Sequence, residues 1–548
     1  MINQLFENIA TNKWKSISLL GILSLFFIVG LGNTHLFDWD EINFAESARE
    51  MIRSGDYLRV QINYSPFWEK PPFFFWLQVG AMKIFGVNEF AARFPNALFG
   101  FFYLLSFYLI GRKHFTAKLG LIWSLVFFGT LLPHIYFKSG IIDPVFNYFI
   151  FISIYFMARV LQKNDEKLSR LALYSGIFSG LSVITKGPVG FLLLGLTLLV
   201  YLIIKKFKPF PRLKLIMIFF LGFTIILGAW ITLEVSQNGF GIISQFITYQ
   251  AELFNQPVAG HAQPFYYHFI VVFIGCFPMS IIALPMFRRK HDQLPIDFRV
   301  WMLSLFWVVL ILFSISTTKI IHYSSMTYIP LSFLAAYYFY QLYNNKEIWK
   351  KYQSILFLTF GIIWAVIFIA LPLILKYKEL LFPYVNDDFA IDSMRTPIYW
   401  NGFEFLIGVF FLTGVIFSFL SFRNTHFIRG LIISSSTLAL TLLLVLFIIL
   451  PKIEGFTQGP AITFYQEIQQ EDCYAESYGY KSYAQYYYFD LSHGLREERK
   501  AQEWLLTGDI DKPVYLVSKS TNIELDNHPN FRLIKAVGGF RFYKRDFQ

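Results

Sequence analysis

The chain has 548 residues, of which 55% are hydrophobic, 20% aromatic and only 15% charged, with 65 Phe and a formal net charge of +11. This is more apolar and aromatic than a soluble globular domain, and its repeated apolar runs of about 18 to 25 residues fit a polytopic helical membrane protein. The pattern argues against a membrane β-barrel, whose strands alternate and are individually short, and with only two cysteines, Cys276 and Cys473, no disulfide framework is expected.

In chain order, Met1 to Lys15 is a polar lead followed by an apolar run from about residue 17 to 31. A signal peptide would read similarly, but no A-x-A-like cleavage site follows, so an uncleaved first span is expected. Further spans are expected near 90–111, 117–137, 141–161, 170–185, 187–204, 213–233, 266–287, 300–317, 322–341, 354–375, 402–421 and 429–450, thirteen in all. The run at 73–85, FFFWLQVGAMKIF, is short for a crossing and reads as an interfacial helix.

Alternate loops are basic, among them those carrying Lys205, Lys206 and Lys208, or Arg288, Arg289 and Lys290, whereas 234–265 holds no Lys or Arg. The positive-inside rule then predicts a cytoplasmic N-terminus, with loop 35–89 and the C-terminal tail outside. The positive charge is thus a matter of topology, and no nucleic-acid partner is expected. After Pro451 the composition turns polar, with strand-like pieces at 513–519 and 531–537 and a helical stretch near 493–506. This predicts two domains: a transmembrane domain over 1–451, and a small extracytoplasmic α/β domain over 452–548.

The ionisable residues concentrate in loop 35–89. Residues 42 to 52 place Phe44, Ala45, Ala48, Met51 and Ile52 on one helical face, with Glu46, Arg49, Glu50 and Arg53 elsewhere, as in an amphipathic helix on the outer membrane surface. Asp38 and Glu41 have capping-box spacing and Asp40 is an alternative N-cap; as a carboxylate at the membrane surface, Asp40 could equally accept a proton from an acceptor group. In Glu69-Lys70-Pro71-Pro72 the prolines fix Lys70 near headgroup depth, where an ammonium can hold a phosphate; a snorkelling lysine is the plainer alternative. Asp143, before Pro144, either caps the fourth span or is an ionisable site at the membrane boundary.

Arg93, Lys186 and Lys319 occupy outer ends or turns with few other charges and could join Lys70 in a basic pocket for an anionic lipid head. Glu252, His261 and His268 lie among aromatics in the 234–268 stretch. They lack metal-site spacing, and His261 stays a candidate substrate contact. There is no Walker loop, dinucleotide fingerprint or GxSxG elbow.

Taken in order, DE in the surface helix, EKPP, FG-x-NEFAARFP and TKGP resemble the bacterial polytopic glycosyltransferases of C-type fold. The likeness covers roughly residues 30 to 330 and is nearest to the lipid A aminoarabinose transferases and the related protein O-mannosyltransferase-like enzymes. The resemblance implies a polyprenyl-phosphate-linked sugar donor, a glycolipid or protein acceptor at the outer face of the inner membrane, and inversion at the anomeric carbon. By position it implies that Asp40 is the catalytic carboxylate with Glu41 beside it, and that Asp143 is the second acid. Glu69 and Lys70 match the donor-site pair, and Lys319 and Tyr323 the turn facing the phosphate. One departure stands out: those transferases carry an acidic-His-x-x-Arg element after span seven, where this chain has YQAELFNQPVAGHAQP without Arg.

A lipid phosphate is already a leaving group, so no cofactor is required; a divalent metal held by Asp40, Glu69 and His261 is the alternative. A transporter or flippase would show repeated halves and midplane ionisable residues, and the sequence has neither. A non-catalytic lipid-binding or assembly subunit would use the same acids only as caps.

Overall fold

The computed structural model describes residues 1–67, 69–162, 167–255, 263–288, 294–316, 318–490 and 502–547. Among them, seven helices are long and apolar enough to cross a membrane: Glu89–His114, Leu168–Lys186, Leu213–Asn238, Pro295–Ile315, Lys351–Lys376, Leu406–Arg423 and Phe427–Glu454. A bent pair makes eight if it is one crossing. The chain is thus a largely helical, multi-pass protein, and thirteen crossings remain an expectation.

Several apolar runs that read as single spans are broken, each for a local reason. The run at 266–287 is two helices, Tyr267–Gly275 and Met279–Arg288, bent by 115°. Pro278 stands at the break, where it has no N–H to continue the ladder. The run at 117–137 stops at Phe128, and after Gly129 and Thr130 a separate short helix, Leu131–Tyr136, follows, with the Leu131 amide on the Phe277 carbonyl at 3.1 Å. The run at 322–341 begins as a 3₁₀ turn, Ile321–Thr327, before its α-helix, Tyr328–Tyr343. Hydropathy measures the length of an apolar run but is blind to such breaks. The polar lead is itself largely helical, over Ile2–Thr11.

Helices Leu168–Lys186 and Leu213–Asn238 pack backbone to backbone through glycine. A Cβ at Gly176 would stand 1.9 Å from the Phe219 carbonyl oxygen, and one at Gly222 2.4 Å from that of Leu173. Small residues permit such close approach where the surrounding medium is as apolar as the helices. The last spanning helix holds a π-turn at Val445–Ile449 ahead of Pro451, and Asn33 Nδ2 donates to the Leu446 carbonyl there at 2.9 Å.

Two elements frame loop 35–89. Helix Phe73–Phe85 has the bounds expected of the interfacial segment. Helix Asp40–Ser54 corrects the surface-helix reading, because Glu46, Arg49 and Glu50 of its polar face are buried along with the apolar side. Phe44 packs on the rings of Phe74 and Phe75 at 6.0 and 5.7 Å. On the other side Arg49 is covered by the C-terminal region, pairing with Asp490 at 2.6 Å and donating to the Tyr487 carbonyl at 3.0 Å. A short ribbon, β1 (Gln61–Ile62) and β2 (Ser65–Pro66), follows. Its turn is fixed by Glu50, whose carboxylate accepts the Asn63 and Tyr64 amides at 2.6 and 2.8 Å.

The C-terminal sheet comprises β3 (Tyr474–Tyr478), β4 (Val514–Lys519), β5 (Arg532–Val537) and β6 (Phe540–Arg545), in the order β3-β4-β6-β5. β3 and β4 are parallel and the remaining pairs antiparallel. Helix Gly459–Glu467 covers one face, with Phe464 against Phe542 at 4.4 Å. Of the expected helix near 493–506, Gln502–Thr507 is described and 491–501 lies outside the described residues. The last span runs to Glu454, so the compositional change after Pro451 falls in its final turn.

Candidate active site

Asp40 is the first residue of its helix and its side chain is 44% exposed; its Oδ2 lies 3.9 Å from His322 Nε2. The same nitrogen is 3.8 Å from Asp143 Oδ2, and Asp143 Oδ1 is 2.5 Å from Lys186 Nζ. Asp143 opens its helix with Pro144 in the first turn, and its carboxylate is buried. The Lys186 ammonium lies 5.2 Å from the ring centre of Tyr323. The loop, the start of helix Asp143–Val160, the TKGP turn and the 321–327 turn therefore meet around His322. Lys70 also acts on this histidine through its charge.

Glu69 is hydrogen-bonded to the Tyr249 hydroxyl and lies 3.7 Å from Lys70, whose stem sits in a tight cleft with Arg59, Trp230 and Glu234. Lys319 is buried and donates to the Ser316 carbonyl at 2.5 Å; its charge reaches His268. Among the described residues no group of three or more His, Cys, Asp or Glu is arranged to hold a metal ion. His261, the third member of the metal alternative, lies outside the described residues.

Glu41 and Arg93 are placed differently. Arg93 Nη2 meets Glu41 Oε2 at 2.7 Å and Nε meets Oε1 at 3.0 Å. The remaining guanidinium hydrogens go to the carbonyls of Leu31, Thr34 and His35 at 2.7 to 2.9 Å. Glu41 also accepts the Phe37 amide at 2.9 Å and the Gly140 amide at 2.5 Å. Burial pushes the Glu41 carboxyl up, but Arg93 and these amides outweigh it and hold it below the usual range. A saturated pair of this kind ties loop 31–41 to the bundle. Asp38 is not the N-cap that its spacing suggested: Trp39 occupies that position without a side-chain cap, and the Asp38 carboxylate faces the C-terminal region.

A cavity of about 820 Å³ reaches Asp40 and His322. Leu31, Leu442, Leu446 and Leu450 give it an apolar wall, and Asp38, Arg93 and Lys138 a polar one. Lys138 donates to the Val29 carbonyl at 2.8 Å, and burial pushes its ammonium down to about 7. Sequence reasoning missed His322 and Lys138. His322 stands inside TTKIIHYSSMTYIP beside Tyr323, and being the one imidazole in that turn was its available signal. Nothing in the sequence around Lys138 sets it apart from a snorkelling lysine.

The site can do two things chemically. A half-exposed carboxylate bordering a cavity can take a proton, and the ammonium groups of Lys70 and Lys186 can stabilise anionic charge close by.

Residues 69–232 match the family Dolichyl-phosphate-mannose-protein mannosyltransferase. An uncharacterized protein of Aquifex aeolicus (strain VF5) is 28% identical over 354 residues, 64% of this chain and 79% of its own length. The undecaprenyl phosphate-alpha-4-amino-4-deoxy-L-arabinose arabinosyl transferase of Wigglesworthia glossinidia brevipalpis is 27% identical over 341 residues, covering 60% of this chain and 59% of that one. Among solved structures, ArnT from Cupriavidus metallidurans bound to undecaprenyl phosphate superposes with a TM-score of 0.78 over 96% of this chain and 97% of that one. At 18% identity that likeness is one of fold, and it is the C-type fold expected from the motifs. With the family match and the relatives added, the chain is a multi-pass membrane glycosyltransferase, similar to the ArnT-like and protein-mannosyltransferase-like enzymes.

Proposed function

We propose that the chain moves a sugar from a polyprenyl-phosphate-linked donor to an acceptor at the outer face of the inner membrane, in a single inverting displacement. The observation that carries this reading is Asp40: a half-exposed carboxylate on the border of a large cavity, with the His322 imidazole 3.9 Å away. Asp40 takes the proton of the acceptor hydroxyl as its oxygen bonds to the anomeric carbon. The bond from that carbon to the phosphate oxygen breaks, and the lipid phosphate leaves with the electron pair. Lys70 holds the leaving phosphate, with Glu69 setting the lysine's position and Lys186, Lys319 and Tyr323 completing that side. Asp143 keeps Lys186 and His322 in place, 2.5 and 3.8 Å away.

Glu41 and Arg93 serve to position the loop, since their hydrogen-bonding capacity is spent on each other and on backbone. His261 is retained as an acceptor contact. The named relatives' donor, undecaprenyl phosphate carrying aminoarabinose, supports the polyprenyl class, while the missing Arg after span seven leaves the sugar open. The apolar cavity wall favours a glycolipid acceptor over a protein. The alternation of basic loops favours a cytoplasmic N-terminus, with loop 35–89 and the domain 452–548 outside.

Mass spectrometry of envelope lipids and glycoproteins from cells with and without the gene tests this reading. A sugar-sized mass shift on an envelope glycolipid, present only with the gene, is expected. Identical lipid and glycoprotein profiles would overturn it.

A further inference from the structure

The helix that presents Asp40 starts without a side-chain cap, and the Glu41–Arg93 pair secures only the side of its first turn that faces the bundle. The two residues before Asp40 are bonded to the C-terminal region, more than 400 residues away in sequence. Asp38 Oδ2 accepts the Ser482 hydroxyl at 2.5 Å, and Asp38 Oδ1 the Tyr483 amide at 3.2 Å. Trp39 Nε1 donates to the Lys481 carbonyl at 3.1 Å, and the Lys481 ammonium lies 4.8 Å from the Trp39 ring. Just upstream, the Leu36 amide donates to the Tyr488 hydroxyl at 2.7 Å.

We propose that Asp38 and Ser482 form a latch through which the C-terminal domain positions Asp40, making Asp38 and Ser482 positioning residues for transfer; this rests on the function proposed above. The latch acts at the start of the helix. The Arg49–Asp490 pair, nine residues further on, anchors the helix body and Glu41–Arg93 its inner side, while the latch holds the two residues that lead into Asp40. Burial pushes the Asp38 carboxyl up to about 6 in spite of Ser482, Tyr483 and Lys481. The acid is therefore kept in this contact against a desolvation cost, and the hydroxyl and amide facing it are what offset that cost.

The test uses the full chain in lipid and in cells lacking the native gene. Ser482→Ala and Asp38→Asn are expected to lower product per folded enzyme by about 10- to 100-fold, the size of loss that a roughly 1 Å misplacement of a reacting group causes. Undecaprenyl phosphate, used as the probe of the donor side, should bind as in wild type, and amide hydrogen exchange at residues 40–44 should accelerate. Ser482→Thr should restore both product and exchange. Asp526→Asn, which breaks the Arg541–Asp526 pair elsewhere in the same domain, should change neither. Wild-type product from Ser482→Ala and Asp38→Asn, unchanged exchange at 40–44, or an equal loss in Asp526→Asn would each overturn the latch. If the wild type itself makes no product, the transferase reading fails and the exchange result alone decides the latch.

Discussion

Asp40 and Glu41 are neighbours in the chain and opposites in the structure. Successive residues of an α-helix point about 100° apart, so one can face a cavity while the next faces the bundle. Glu41 is 6% exposed, its two oxygens shared among Arg93 and two backbone amides. Asp40 is 44% exposed, and His322 stands 3.9 Å off. Both are acids in the same motif, yet only one has bonding capacity left for a substrate. Saturation, more than acidity, separates the scaffold carboxylate from the reactive one.

That contrast can be broken at the scaffold side first, where the largest loss of stability is expected. Glu41→Gln removes the partner of a buried guanidinium, which costs on the order of 3–5 kcal/mol. Thermal unfolding in lipid should show a strongly destabilised or unfolded protein, and a wild-type melting profile would mean that Glu41 is not scaffold. The donor side comes next. Lys70→Ala should remove a charge-assisted contact of about 1.5–3 kcal/mol, weakening undecaprenyl phosphate binding by roughly tenfold or more with folding intact. Equal binding in the variant would take Lys70 off the donor site.

The smallest effect is a pH dependence in the loop between them. Burial and the nearby Glu46 push the Glu50 carboxyl up to about 8, although the amides of Asn63 and Tyr64 oppose this. A raised folded-state value means that the folded protein favours the protonated acid. The contribution is therefore complete below the ordinary glutamate range, near pH 4, and is lost as the pH rises through about 8. The melting temperature should fall from about pH 5 to about pH 8 and level off above that, and Glu50→Gln should flatten the slope; a rise over the same interval would reverse the assignment.

Much of this site was legible in the sequence because charge is rare here. Asp40, Glu69, Lys70, Asp143, Lys186 and Tyr323 stood out against apolar surroundings, in motifs resembling a known family, and the structure gathers them at one end of the bundle. His322 did not stand out, since a single imidazole beside apolar residues reads as a core side chain until its neighbours are known. The Asp38–Ser482 contact was out of reach for a different reason: its partners are 444 residues apart and no local pattern links them. The amphipathic period of helix 40–54 located its apolar face well, but nothing local told that the C-terminal region would bury the other. Runs of apolar residues likewise located the spanning regions and missed the breaks at Pro278 and Gly129.

The account depends most on Asp40 as the base, and one measurement addresses it directly: transfer by purified Asp40→Asn in lipid, with undecaprenyl phosphate binding measured in parallel. The amide matches the carboxylate in size and cannot take a proton at neutral pH, so turnover should fall by about 10² to 10⁴. Binding and the melting temperature should match wild type, because the loss belongs to the chemical step. Near-normal turnover by Asp40→Asn would contradict the account and move the base to another residue of the cluster.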